Sequence, residues 1–451
     1  MAETYRDQRD RMLNMPPGRL IAKLSVPTVI SMLVSGVYNL GDTFFVGKLG
    51  TSASGAVGVV FSYMAILQAF GFMCGQGSGA LAAQRLGAGR REEASVIGST
   101  GFFIDFLIGA VLEVLTLIFL SPLAEALGST ETIRPYAMDY MFWIAIAAPF
   151  LTTSLLLNNI LRYEGYASLA MIGLMAGGLL NLAGDPLFMF VFGMGISGAG
   201  LSTALSQIIS FAILLSMFLR GRTQTQLSLK NVSLRSSMIV NILKVGFPSL
   251  TRQGLGSLST MLLNRSTRLY GDAAVAGMSI VGRITMLTFT VVIGIGQGFQ
   301  PVAAFNFGAK KYGRLRQAFH WTLLFQELTL VVFVAVCLSF SGELIGVFRD
   351  DPEVIAIGTP ALRYALVAQL TQALVVATNM LYQSTGRAGG ATFMSMLRSG
   401  IVFIPVLLIM RSSLGLHGIQ IAQPVSDCIS FVLSIPFVIR YFQKYSEDEK
   451  A

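Results

Sequence analysis

Charge is what this chain has least of. Asp, Glu, Lys and Arg together make up 12% of its 451 residues, about half the share of a water-soluble protein of this length. Histidine occurs twice, at His320 and His417, in no ligand spacing, which excludes a histidine-built metal centre. The three cysteines, Cys74, Cys337 and Cys428, fall singly in separate apolar runs. They form neither a disulfide framework nor a zinc motif and read as buried free thiols. No phosphate loop ends in Gly-Lys-Ser or Gly-Lys-Thr. The nearest stretch, Gly75-Gln76-Gly77-Ser78-Gly79, has no following lysine and lies inside an apolar run, so its small residues are read as helix packing and ATP hydrolysis is excluded. Gly184-Asp185 lacks the preceding glycine of an intramembrane aspartyl protease, because Leu182 stands there. The chain is read as no enzyme and as needing no cofactor.

What the chain has instead is apolar length. It is 53% hydrophobic, and runs of about 20 apolar residues, the span of a membrane-crossing helix, recur from Ile21 to Tyr441. The expected helices are 20–46, 53–83, 93–120, 134–160, 167–191 and 195–219, then 238–264, 273–305, 317–341, 359–384, 391–410 and 416–440. This predicts an all-α polytopic membrane protein of twelve spans. The segment through Arg19 is polar and shows no cleavable signal pattern, so the first helix is expected to serve for insertion. The net charge of +9 follows the turns: Arg85, Arg90, Arg91, Lys310, Lys311, Arg314 and Arg316 gather at one set of helix ends, and only a few, such as Lys48, Arg265 and Arg268, at the other. That asymmetry predicts cytoplasmic termini and no nucleic-acid partner.

The first half repeats in the second with a shift of 221 (248 − 27). Pro27 meets Pro248, Gly50 meets Gly271, Gly75-Gln76-Gly77 meets Gly296-Gln297-Gly298, Asn158 meets Asn379 and Gly165 meets Gly386; one gap later Ser210-Phe211 meets Ser430-Phe431. Six helices per half is an even number, so both halves enter the membrane in the same sense. The expected organisation is a first lobe at 1–219, a polar linker at 220–237 and a second lobe at 238–451.

Against this background, polar groups at membrane depth stand out, because an intramembrane acid is costly unless it has a task. Asn181 and Asp185 are four residues apart, on one helix face, and Pro186 frees a carbonyl beside them. Counted at 1.5 Å per residue, Asp42 lies roughly 9 Å, and Asp185 and Thr203 roughly 12 Å, below the same outer ends of their helices. Three helices of one half thus place oxygen ligands at one level. Glu113 is at similar depth on the third helix, and Asp105 is deeper. Glu164 follows Arg162 at the cytoplasmic end of the fourth helix, where it is expected in a surface or gate network. In the second half Arg252, Arg283, Arg398 and Asp427 are intramembrane charges.

Asp42-Thr43-Phe44-Phe45-Val46-Gly47-Lys48-Leu49-Gly50 resembles the first-helix signature of multidrug and toxic compound extrusion (MATE) transporters. Asn158 to Gly165, Asn181 to Phe188, Gly195 to Gln207 and, in the second half, Asn379 to Gly386 are similar to the same family's later motifs, so the resemblance covers essentially the whole chain. Arg162-Tyr163-Glu164-Gly165 resembles the form common in the branch of staphylococcal multidrug exporters. The resemblance implies two six-helix lobes in a V, drug export against an inward H⁺ or Na⁺ gradient, and a first-lobe cation site at Asp42, Asn181, Asp185 and Thr203. If the ion is Na⁺, the same four residues are its ligands. Glu113 and Glu164 are possible additions, and Pro27 and Pro186 the expected hinges. A second-lobe carboxylate site known in another branch is absent, since Gly256 and Thr371 occupy its positions. The expected substrate is bulky, partly apolar and cationic, and the protein a lipid-embedded monomer. The alternative reading is a flippase for a lipid-linked saccharide, favoured if the arginines of the second half line a cationic cavity.

Overall fold

A computed structural model describes the backbone of residues 2–448 and the side chains of 7–36 and 41–445. The expected second lobe runs to 451, so its last three residues lie outside the described ones. In chain order the helices are α1 (Ala2–Asn14), α2 (Pro17–Gly47), α3 (Thr51–Gly87), α4 (Arg91–Ile118), α5 (Leu120–Ala126), α6 (Arg134–Tyr163), α7 (Ala167–Pro186) and α8 (Ile196–Leu219). They continue as α9 (Ser236–Thr267), α10 (Asp272–Gly308), α11 (Tyr312–Ser339), α12 (Ser341–Phe348), α13 (Pro352–Gln369), α14 (Gln372–Ser384), α15 (Ala388–Met396) and α16 (Phe403–Asp448). Among the described residues there is no strand.

Every one of the twelve expected spans is helical. Among the described residues nine helices are long and apolar enough to cross a membrane by themselves, and ten if the bent pair α13–α14 counts as one. The difference from twelve has two causes. Helix α9 carries Lys244, Arg252 and Arg265 and falls outside that set, while Ala388–Tyr445 holds two expected spans. Gly415 separates these, with φ 59°. Gly195, 220 positions earlier, has φ 58° at the entry to α8. Both need a left-handed backbone that a Cβ would oppose, so the turn between the fifth and sixth helices recurs as a kink in α16. The repeat also extends to single hydrogen bonds. Asn158 Nδ2 donates to the Ala170 carbonyl at 2.8 Å and Asn379 Nδ2 to the Ala391 carbonyl at 2.7 Å.

The chain packs as two units, Met1–Asn14 with Ile30–Leu250, and Met15–Val29 with Thr251–Ala451. These differ from lobes bounded at 219 and 238. The start of α2 belongs to the second unit, while the linker and the start of α9 belong to the first. Glycine explains both placements. A Cβ on Gly77 would strike the Ile242 carbonyl, and one on Gly246 the Met73 carbonyl, so α3 and the start of α9 touch backbone to backbone. At the matching place in the second unit, a Cβ on Gly298 would strike Ser25, whose hydroxyl donates to the Ile295 carbonyl at 3.2 Å. Within α2 and α9 the change of unit follows three residues after a proline, Pro27 before Ile30 and Pro248 before Thr251. The first unit's core joins α3, α6 and α8 around Tyr63, Met141, Ile144 and Met189; the second joins α10, α13 and α16 around Ile284, Leu362 and Phe403.

Candidate cation site

Helices α2, α6, α7 and α8 supply the site, all from the first unit. Gly41 lets α7 approach α2: a Cβ there would strike the Leu182 side chain. Helix α7 ends at Pro186 and passes into a π-helical turn, Leu187–Val191, the kind of irregularity that marks functional positions in helices. In this setting Asp42, Asn181, Asp185 and Thr203 are 3%, 3%, 0% and 4% exposed, so none is solvated by bulk water.

The structure brings these four together, through a fifth residue that sequence reasoning missed. The Tyr140 hydroxyl donates to Asp42 Oδ1 at 2.9 Å and lies 3.1 Å from Thr203 Oγ1. Asn181 Nδ2 donates to Thr203 Oγ1 at 3.0 Å and to Asp185 Oδ1 at 3.1 Å. Because the single proton of Tyr140 goes to Asp42, the Thr203 hydroxyl is the donor to Tyr140. The bonds therefore run in one direction, Asn181 to Thr203 to Tyr140 to Asp42, with a branch to Asp185. Ser202 adds a hydrogen bond to the Asn181 carbonyl at 3.2 Å. Each carboxylate keeps one oxygen, Asp42 Oδ2 and Asp185 Oδ2, buried without a hydrogen bond. Depth was the signal that would have found Tyr140: it stands six residues into α6 from Arg134, roughly 9 Å along the axis, the level of the others.

The two possible additions lie elsewhere. Glu113 is half-buried on α4 near Tyr63, and among the described residues no hydrogen bond or ion pair joins it to the four. Glu164 sits at the far end of α6, beside the linker, fully buried. Its carboxylate accepts from the backbone N–H of Gln224 at 2.7 Å and of Thr225 at 2.9 Å, and from the Thr225 hydroxyl. Its carbonyl accepts from Gln224 Nε2 at 3.0 Å and Gln8 Nε2 at 3.2 Å. Burial pushes the Glu164 carboxyl up to about 7, against the opposing pull of these donors and of Arg91. Arg91, expected only as a membrane-surface cation, donates to the Gln224 carbonyl at 2.7 Å.

In the second unit two of the intramembrane charges pair with each other, a third bonds a neutral amide, and Arg283 is exposed. Arg398 Nε meets Asp427 Oδ1 at 3.1 Å, Gln423 donates to the same oxygen at 2.8 Å, and the guanidinium stacks on Phe289. Arg252 donates to Asn379 Oδ1 at 3.2 Å. Cys74 and Cys337 are buried as expected, whereas Cys428 is exposed.

The whole chain has relatives. The multidrug export protein MepA of Staphylococcus saprophyticus is 27% identical over 423 residues, 92% of each chain. That of Staphylococcus aureus strain MSSA476 is 26% identical over 428 residues, 94% of each. Among solved structures, a MATE protein in its bent conformation superposes with a TM-score of 0.92 at 23% identity, covering 98% of this chain and 99% of that one. The outward-facing conformation of a multidrug resistance MATE family transporter gives 0.91 at 23% identity, covering 96% and 98%. The MatE family model matches residues 27–187 and again 248–409, once in each repeat. The chain belongs to the MatE family of multi-pass membrane transporters.

Proposed function

We propose that this protein exports bulky, cationic, drug-like molecules from a bacterial cell, driven by H⁺ or Na⁺ entering through the first unit. The observation that carries this reading is the buried chain from Asn181 to Asp42, with one bare carboxylate oxygen at each end. Two unsolvated carboxylates in one network bind a cation far better than they bear their own charge, and the ion's departure must reorganise the network. Asn181 presents its NH₂ to the cluster, which suits a proton on a carboxylate. A Na⁺ is also compatible with these residues, provided the amide turns to offer its oxygen beside Asp42, Asp185 and Thr203. The export of drugs is supported by the names of the MepA relatives. Cytoplasmic termini, with the linker and Glu164 on the same side, fit the distribution of Lys and Arg. The pairing of Arg398 with Asp427 compensates one of the three cationic charges on which a flippase reading depends.

Alternating access requires the two conformations to differ in cation affinity, with α2 and α7 bending near Pro27 and Pro186. Everted vesicles, whose cytoplasmic face is outward, test the reading when a cationic dye is added outside. Dye movement should follow an imposed H⁺ or Na⁺ gradient, collapse with the matching ionophore, and vanish in Asp42→Asn while the variant remains folded and inserted. Undiminished gradient-driven movement in that variant removes the site from the mechanism.

A further inference from the structure

One buried acid takes no part in the site. Asp105 sits midway along α4, fourteen residues from Arg91 and thirteen from Ile118, or about 20 Å from either end. It is 0% exposed, and neither carboxylate oxygen makes a hydrogen bond of normal geometry. Helices α3, α5, α6 and the linker turn Leu229–Asn231 are packed against α4. From α3 the Cys74 thiol faces Asp105, and from α6 the uncharged Thr152 hydroxyl does. Among the described residues no other titratable group faces it: Glu125 of α5 is paired with Arg134 and Lys230 of the linker turn is exposed. Thr152 is loosely engaged, 3.3 Å from the Pro149 carbonyl and 3.5 Å from that of Asp105, at the proline of α6. A bare carboxylate here, with no cation near, costs far more than packing returns. A metal ion is no remedy, since a thiol and one hydroxyl are a poor shell for Na⁺.

The repeat shows that packing does not ask for an acid. Position 326, which is 105 + 221, holds Gln326, also 0% exposed, whose amide donates to the Val292 carbonyl at 2.8 Å. The second unit fills this slot with a neutral amide; the first fills it with a titratable carboxyl. We propose that Asp105 is a proton-binding site of the first unit separate from the Asp42–Asp185 network, mid-membrane, between that network and the linker side, and that it takes up and gives back a proton during transport. The cycle part rests on the export reading above; the binding part does not.

Infrared difference spectra of the purified full-length protein across a pH series test the binding directly. The wild type should show the carbonyl stretch of a protonated carboxyl that Asp105→Asn loses and Cys74→Ala shifts. In vesicles, Asp105→Asn should flatten the pH dependence of dye efflux while dye affinity is retained, and Asp105→Glu should restore it. A structural role alone leaves the pH profile unmoved. A folded Asp105→Asn protein with an unchanged carboxyl spectrum, or with the wild-type pH profile, overturns the proposal. If Asp105→Asn does not fold, a carboxyl band left unshifted in both Cys74→Ala and Asp105→Glu overturns it equally. Failure of the export reading shows itself separately, in an active Asp42→Asn variant.

Discussion

At the scale of single residues, the site depends on one hydroxyl. Tyr140 links Asp42 to Thr203, and among the described residues no other side chain duplicates it in the network. Tyr140→Phe preserves the ring and its packing but removes the donor to a carboxylate, a bond worth about 1.5–3 kcal/mol when the acceptor is charged. Efflux in vesicles should fall by about tenfold or more, with expression and insertion unchanged; wild-type efflux would leave Tyr140 a packing residue. Much of this site was legible beforehand. Asp42 and Asp185 announced themselves as charge in an apolar run, and Asn181 by its spacing to Asp185. Tyr140 did not, because a tyrosine near a helix end is what any membrane protein places at its interface. The orientation of each bond is a fact of three dimensions that spacing does not carry.

At the scale of elements, the linker is the surprise. As sequence it is merely polar. In the structure it is bound along its length: Gln224 and Thr225 to Glu164, Gln226 to Ser95 and Ser99, Ser228 to Ser99, and Ser233 to Thr100. Helix α1 joins the same region, with Arg9 donating to the Leu86 and Gly87 carbonyls at 3.2 and 2.9 Å. Glu164 makes the linker's attachment sensitive to pH. With the carboxyl raised from an ordinary 4.5 to about 7 when docked, the docked state holds the proton more tightly than a released, solvated one. The sign follows: docking is strongest below the ordinary glutamate range and weakens as pH rises from about 4.5 through 7, by up to about two powers of ten in the opening equilibrium. Hydrogen exchange at Gln224 and Thr225, corrected for intrinsic rates, should show greater protection at pH 5 than at pH 8. In Glu164→Gln that difference should disappear. Protection that rises with pH in the wild type would reverse the sign and refute the burial argument. The membrane-length helices were readable from apolar length alone, including the separation at Gly415, which falls between the expected helices 391–410 and 416–440; the bend between α13 and α14, inside the expected span 359–384, was not.

At the scale of the whole molecule, the repeat was readable and its packing was not. A register of 221 shows which residues correspond; it does not show which ones touch. Gly77 and Gly298 correspond, yet each receives a segment from the opposite half of the chain, Ile242 in one case and Ser25 in the other. A chain broken between Arg220 and Arg235 should therefore yield fragments that are degraded when expressed singly and that restore dye efflux when expressed together. Stable accumulation of either fragment alone would show the exchanged segments to be dispensable. The exchange also bears on descent. A lone ancestral half of this design would have lacked the helix start that fills its own groove at the glycine of α3, and the same segment of an identical copy would fit it. Reciprocal lending of first helices between two such copies is a domain swap with closed symmetry, and joining the copies end to end would have preserved it, leaving today's single polypeptide as a swapped pair tied by its linker.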